Sequence, residues 1–283
     1  MSQHTPEIDF SAKTDKGRVR KHNEDSIYGN NDIGLWIVAD GMGGYACGEV
    51  ASGITVNTVS ESVTNGQPIP HAITTAHDTV VARTETDEAT KGMGSTIVAL
   101  KIEEARYEVS WVGDSRCYLL RDQQLHQLSR DHSYFEWLLS QGLSQKDAAN
   151  DPNQGRLTQG VGLHPPKPDT VSGELHAFDR FLLCSDGVYN EVSEAALLTT
   201  LSANTDSQHA SQTILENALK NGGKDNISVV VVDIEPTKRQ KLYIYHSIRY
   251  KLRKIAQKWR IWAPPLAGVA LAGAIFIVFL SLR

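Results

Sequence analysis

The chain has 283 residues, 40% of them hydrophobic, enough to supply a core and to exclude disorder as its organising state. Its formal charge of −5 is unevenly divided: ten Lys or Arg and no Asp or Glu lie from Lys238 onward, against 18 basic and 33 acidic residues before it. An acidic body argues against nucleic acid as a partner, and three scattered cysteines without Cys-x-x-Cys spacing (Cys47, Cys117, Cys184) read as buried apolar side chains in a reduced compartment.

In chain order, MSQHTPEIDFSAK carries no apolar stretch of signal-peptide character, so the body is expected in the cytosol. Runs rich in β-branched and aromatic residues, bounded by Gly, Asp or Asn, predict strands at IDFSAKTD, DSIYGN, LWIVAD, STIVALKIE, RYEVSWVG, CYLLRD, RFLLCSD and NISVVVVDI. Helical patterning is predicted over 49–63, 72–89, 134–141, 194–202 and 207–220. Strands follow strands and helices come in pairs, which reads as α+β with largely antiparallel sheets and one domain over 1–237. Within it, 133–163 is expected to be a flap-like insertion, interrupted by Gly142, Pro152, Gly155 and Gly160, of the kind that borders a site.

Past the body, 238–261 is a basic juxtamembrane segment in which Ile244, Ile248, Leu252, Ile255 and Trp259 recur at helical spacing. It reads either as a stripe on anionic headgroups or as a solvated linker helix. Residues 262–282 run without a charge for 21 positions, the length of a transmembrane helix. Basic residues on its N-terminal flank predict a single pass through the inner (cytoplasmic) membrane with the body facing the cytoplasm.

Five short segments carry the chemistry. ADGMGG (39–44) lacks the spacing of a nucleotide phosphate cradle, and Asp-Gly alone suggests a hairpin turn. The same pattern returns at FLLCSDG with Asp186 and Gly187, and helical patterning, not a return strand, follows both copies. Two carboxylates ending apolar strands, each followed by a glycine that permits close backbone approach, suit oxygen ligation of a hard divalent cation. GRVRKHNED is expected to place Arg20, His22 and Glu24 on one strand face with Asp25 beside them, while GDSR contributes Asp114 and GKDN Asp225.

The ordered set VRKHNED, ADGMGGYACGEVAS, GMGST, WVGDSRCYLLR, LSRDHS, LTQGVG, RFLLCSDGV and GKDNISVVVV resembles the metal-dependent protein serine/threonine phosphatases of the PP2C (PPM) family in their bacterial form, from about residue 8 to 235. The resemblance implies a four-layer α-β-β-α sandwich with two Mn²⁺ or Mg²⁺ ions at one edge. Asp40 is then expected to bridge the ions, Gly41 to offer its carbonyl, Asp186 and Asp225 to complete one shell, Glu24 and Asp25 to hold metal-bound waters, Asp114 to bind a third, weaker ion, and Arg20 to clamp the substrate phosphate. The implied reaction is attack of a metal-bridging water on phosphoserine or phosphothreonine of cytosolic proteins, opposing a bacterial Ser/Thr kinase. The rival expectations are a weak pseudophosphatase and a membrane-tethered phosphoprotein-binding module. Relatives often keep a histidine where this chain has Met42 or Tyr45, and an arginine where it has Gln159. That leaves two candidates for the leaving-group acid, a metal-bound water and His22.

Overall fold

The computed structural model describes residues 7–43, 47–204, 206–236, 249–251 and 254–255. One antiparallel sheet has the order β1 (Glu7–Asp15), β11 (Ile227–Glu235), β10 (Arg180–Cys184), β7 (Arg116–Arg121) and β8 (Gln124–Gln127). The other runs β2 (Asp25–Asn30), β3 (Leu35–Met42), β5 (Ile97–Glu103), β6 (Arg106–Val112) and β9 (Asp169–Glu174), with the two-residue β4 (Gly94–Ser95) paired to the end of β3. The helices are α1 (Cys47–Thr64), α2 (Ile69–Thr86), α3 (Tyr134–Ser140), α4 (Gln145–Ala149), α5 (Asp186–Tyr189), α6 (Glu194–Ala203) and α7 (Ser207–Asn221).

The period of a strand explains the layering. In β3, Leu35, Ile37 and Ala39 pack with Val56, Val59, Ile73 and Val80 of α1 and α2. The alternate residues Trp36 and Val38 enter a second core with Val98, Leu119, Phe181 and Val232, between the sheets. β11 divides the same way: Val230 and Val232 face the other sheet, while Val229 and Val231 meet Leu197, Leu201 and Ile214 of α6 and α7. A strand apolar on both faces must be covered on both, so these uninterrupted apolar runs become interior strands. The expected helix–sheet–sheet–helix stacking follows, with the three cysteines buried.

Each predicted strand run contains a strand, with ends displaced by one or two residues. Besides the two-residue β4, the strands β8 and β9 were not anticipated, because QLHQ and DTVSGE are edge strands with largely exposed side chains and no apolar run. The expected strand face at 20–24 is corrected: β2 begins only at Asp25, and the chain before it is a loop. Gly17 forces that loop, since its φ is +75° and a Cβ there would lie 2.1 Å from the Asp225 carbonyl oxygen. α2 begins at Ile69, earlier than expected, behind Pro68. Ser133, Ser144, Ser193 and Asp206 cap their helices by accepting a backbone N–H from the first turn. The segment 133–163 carries α3 and α4 and is pinned by bridges Ser133↔Leu157 and Ser95↔Val161.

The chain divides into two units, Met1–Glu235 and Pro236–Arg283. Of the second, 249–251 and 254–255 are helical. Among the described residues no helix is long and apolar enough to cross a membrane. The expected span at 262–282 lies outside the described residues, as do most of 238–261 and Tyr45.

One buried ion pair ties the first sheet to its helices. Arg180 stands opposite Asp233 across β10 and β11, and its Nε and Nη2 donate to the two carboxylate oxygens at 2.5 and 2.7 Å. Its Nη1 donates to the carbonyls of Leu201 and Asn204 at the end of α6. Asp233→Ala strands this guanidinium in the core and is expected to lower stability by about 3–5 kcal/mol, read from urea unfolding. A loss below about 1 kcal/mol would show that water reaches the pair.

Candidate metal centre

Carboxylates from both sheets converge where β2 and β3 meet the turns after β6 and β10 and the turn before β11. Asp25, first residue of β2, is in register with Asp40 near the end of β3. The GMGST segment holds Asp40 by its backbone: Asp40 N–H donates to Thr96 Oγ1 at 3.0 Å, and its carbonyl accepts from Thr96 N–H at 2.8 Å and Ser95 Oγ at 3.1 Å. Thr96 Oγ1 also bonds Ser115 Oγ at 2.7 Å, joining this strand end to the turn that carries Asp114.

The glycines of the two Asp-Gly pairs answer one requirement. A Cβ on Gly41 would sit 2.0 Å from the Gly48 carbonyl oxygen, and one on Gly187 would sit 2.0 Å from that of Asn226. At both positions a second backbone segment crosses at a distance that no side chain permits. Gly41 N–H donates to the Glu24 carbonyl at 3.1 Å, so the same crossing brings the loop carrying Glu24 against β3.

Asn226 and Ser185 lock the remaining pieces. Buried Asn226 accepts from Glu24 N–H at 2.8 Å and donates to the carbonyls of Lys16 and His22, both at 2.9 Å, stapling the 16–24 loop to the start of β11. Ser185 Oγ accepts from Ser228 N–H and donates to Asp25 Oδ2 at 2.8 Å, a bond between the two sheets. Sequence alone does not mark either residue, because a serine or asparagine at a strand end looks like any turn former.

Asp25, Asp40, Asp186, Asp225 and Asp114 share one electrostatic site. Burial pushes Asp40 well above the usual carboxylate range, with Asp25 and Asp186 adding repulsion. Burial is also the largest cause for Asp25 and Asp114, each pushed up to about 7, and for Asp186, pushed up to about 6 with Asp225 next. Asp25 Oδ1 and Asp186 Oδ1 are buried and accept no hydrogen bond. Orphaned carboxylate oxygens among like charges are a donor set for a hard cation. As they stand, however, no three His, Cys, Asp or Glu among the described residues are gathered tightly enough to grip an ion. Asp225 is turned onto Arg20 Nη2 at 2.5 Å and Asp186 Oδ2 accepts from Asn190 at 3.1 Å.

Arg20 is half exposed at the rim, and His22 is exposed on the same loop, anchored by its carbonyl and not its ring. Met42 and the strap 156–164 line a cleft of about 450 Å³ whose polar groups include Arg156, Gln159 and His164. Gln159 accepts from Lys167 N–H at 2.9 Å and so braces the strap.

A two-sheet sandwich with acidic turns gathered at one edge defines the class, and the family model for protein phosphatase 2C matches residues 16–221. The chain belongs to that family. It is 33% identical over 242 residues to the serine/threonine protein phosphatase PstP of Mycobacterium tuberculosis, covering 83% of this chain but 46% of the relative, so it spans about half of that protein's length. It is 34% identical over 242 residues to the serine/threonine phosphatase stp of Listeria monocytogenes, covering 80% of this chain and 96% of the relative. The crystal structure of the M. tuberculosis phosphatase superposes with a TM-score of 0.75 at 32% identity, over 81% of this chain and 99% of that one. A PstP catalytic domain solved with two manganese ions gives 0.73 at 32% identity, over 81% and 99% of the two chains.

The raised carboxylates generate a pH prediction. Asp25, Asp114 and Asp186 hold protons more tightly folded than unfolded, so in metal-depleted protein stability falls as pH rises from the usual value of about 4 towards the folded values near 6 and 7. Below that window both states are protonated and the penalty vanishes. Scanning fluorimetry in chelator is expected to give a lower Tm at pH 8 than at pH 5.5, a gap that Mn²⁺ narrows and Asp25→Asn reduces. Equal melting with and without Mn²⁺ at pH 8 would contradict a cation at this site.

Proposed function

We propose that this chain is a Mn²⁺- or Mg²⁺-dependent phosphatase of phosphoserine and phosphothreonine on cytosolic proteins. The observation that carries the reading is the in-register pair Asp25 and Asp40 beside Asp186, with two buried carboxylate oxygens left without donors. Resemblance across the family motifs, and the two manganese ions in the solved PstP domain, support it.

Asp40, the Gly41 carbonyl, Asp186 and Asp225 would hold two divalent cations, with Glu24 and Asp25 orienting their waters and Asp114 serving a third, weaker ion. Such ions make water a nucleophile near neutral pH and offset phosphoryl charge. The protein's own part is orientation. Thr96 and Ser95 fix the Asp40 backbone, Ser185 fixes Asp25 Oδ2 so that Oδ1 faces the site, and Asn226 fixes the loop bearing Arg20, His22 and Glu24. Arg20, held by Asp225 through a single nitrogen, retains donors for a substrate phosphate. His22 lies on the same loop, exposed to solvent, and is the chain's own candidate to protonate the leaving oxygen. No specific feature favours a pseudophosphatase, since every expected carboxylate is present.

The apolar run at 262–282 and the basic 238–261 support attachment to the cytoplasmic membrane, with substrates supplied by an opposing Ser/Thr kinase.

Purified full-length chain with Mn²⁺ is expected to release phosphate from a phosphothreonine peptide, and to stop in chelator. Asp40→Asn should lower kcat on the order of 10²–10³-fold, as removal of a group stabilising transition-state charge does. Undiminished turnover in that variant, or in chelator, would sink the mechanism. Deleting 238–283 should release the protein from membranes with turnover retained, and sedimentation of the truncated chain with membranes would refute the anchor.

A further inference from the structure

Tyr189 has no role in the arrangement described so far, yet it joins two acidic segments. It lies three residues after Asp186 on α5, so the two side chains share a helix face. Its hydroxyl donates to the backbone carbonyl of Asp114 at 3.1 Å, across 75 residues of sequence. The ring is held as well: the Arg116 guanidinium stacks over it, 3.7 Å from the ring centre. Arg116 in turn cannot drift. Its Nε and Nη2 donate to both oxygens of Asp131 at 2.7–3.1 Å, and its Nη1 donates to the Tyr118 hydroxyl at 3.0 Å. Gln127 holds Asp131 from the other side at 3.2 Å.

A clamped ring with one directed hydroxyl is a spacer of fixed length. One end is the helix that begins with Asp186 and the other is the turn that carries Asp114. Through this one side chain the segment bearing Asp186 is tied to the backbone of Asp114. Bringing two carboxylates together is costly without a cation, so the fold gains nothing by spanning the gap unless an ion occupies it.

We propose that Tyr189 is a positioning residue that holds Asp114 at the separation from Asp186 at which the two carboxylates share a divalent cation additional to the pair around Asp40, with Arg116 locking the ring. The proposal rests on the metal-centre reading above. Tyr189 touches neither cation nor substrate; it sets the affinity of the additional ion by fixing the backbone of one ligand.

The test is calorimetric titration of the detergent-purified full chain with Mn²⁺ alone, which reads binding without turnover. Tyr189→Phe keeps the ring and its stacking and removes only the donor. It is expected to weaken the additional, low-affinity binding roughly three- to tenfold, the worth of one hydrogen bond, and to leave the tighter sites and the metal-free Tm near wild type. Arg116→Lys should shift the same binding in the same direction through the loosened ring. Asp114→Asn should abolish it, and Asp40→Asn should abolish the tight sites. A Tyr189→Phe isotherm identical to wild type, with Asp114→Asn still losing the weak site, would overturn the role of Tyr189 alone. A weak site that survives Asp114→Asn would overturn the shared ion, and tight sites that survive Asp40→Asn would overturn the metal-centre reading itself.

Discussion

Repulsion among buried carboxylates is the constraint from which the rest of this structure follows. Five aspartates from five separate segments meet at one edge of the sandwich, and for Asp25, Asp40, Asp114 and Asp186 desolvation with repulsion from neighbouring carboxylates opposes ionisation. A fold driven only by stability would not assemble this, since removing charges from water costs several kcal/mol each before any repulsion is counted. The assembly persists because it is over-determined by backbone contacts. Thr96 and Ser95 grip Asp40, Ser185 crosses between sheets to Asp25, and Asn226 holds the 16–24 loop at three points with one side chain.

Those locks also explain why the site sits at a sheet edge. β3 and β11 are covered by apolar residues on both faces, and where β11 carries a buried charge, at Asp233, Arg180 neutralises it. At the strand ends the ladders stop, and freed backbone groups can be paired by short polar side chains. The glycines at 41 and 187 then let two such ends cross, bringing carboxylates from separate turns together. The same apolar layers supply the rigidity with which the edge is held.

Much of this was legible in the sequence, for a physical reason. Uninterrupted runs such as LWIVA and ISVVVV announce strands buried on both faces, and paired Asp-Gly steps after apolar runs announce strand ends that something approaches closely. The edge strands β8 and β9 were not legible, because one solvated face and few apolar residues leave no pattern to read. The loop at 16–24 was misread as a strand because alternation of Arg20, His22 and Glu24 mimics a two-residue period. What breaks the strand is the backbone at Gly17, pressed against Asp225, a contact 208 residues distant that no local pattern encodes. Ser185, Asn226 and Tyr189 leave no local pattern for the same reason: each acts through hydrogen bonds to residues distant in sequence.

Arg20 shows how exposure and function are reconciled on the proposed reading. Its pair with Asp225 joins side chains 50% and 31% exposed, and ion pairs in that setting contribute about 0–1 kcal/mol because water screens them. A phosphate dianion offers the guanidinium more charge and more acceptor oxygens than one carboxylate does, so it competes on favourable terms. Asp225 then does two things at modest cost. In the absence of substrate it holds the guanidinium against the entropy of a long side chain, and if phosphate took the arginine its oxygen would become free for a cation. The exchange would couple substrate arrival to completion of the metal shell, and it needs the pair to be weak. A buried Arg20, held as Arg180 is by Asp233, could not make it.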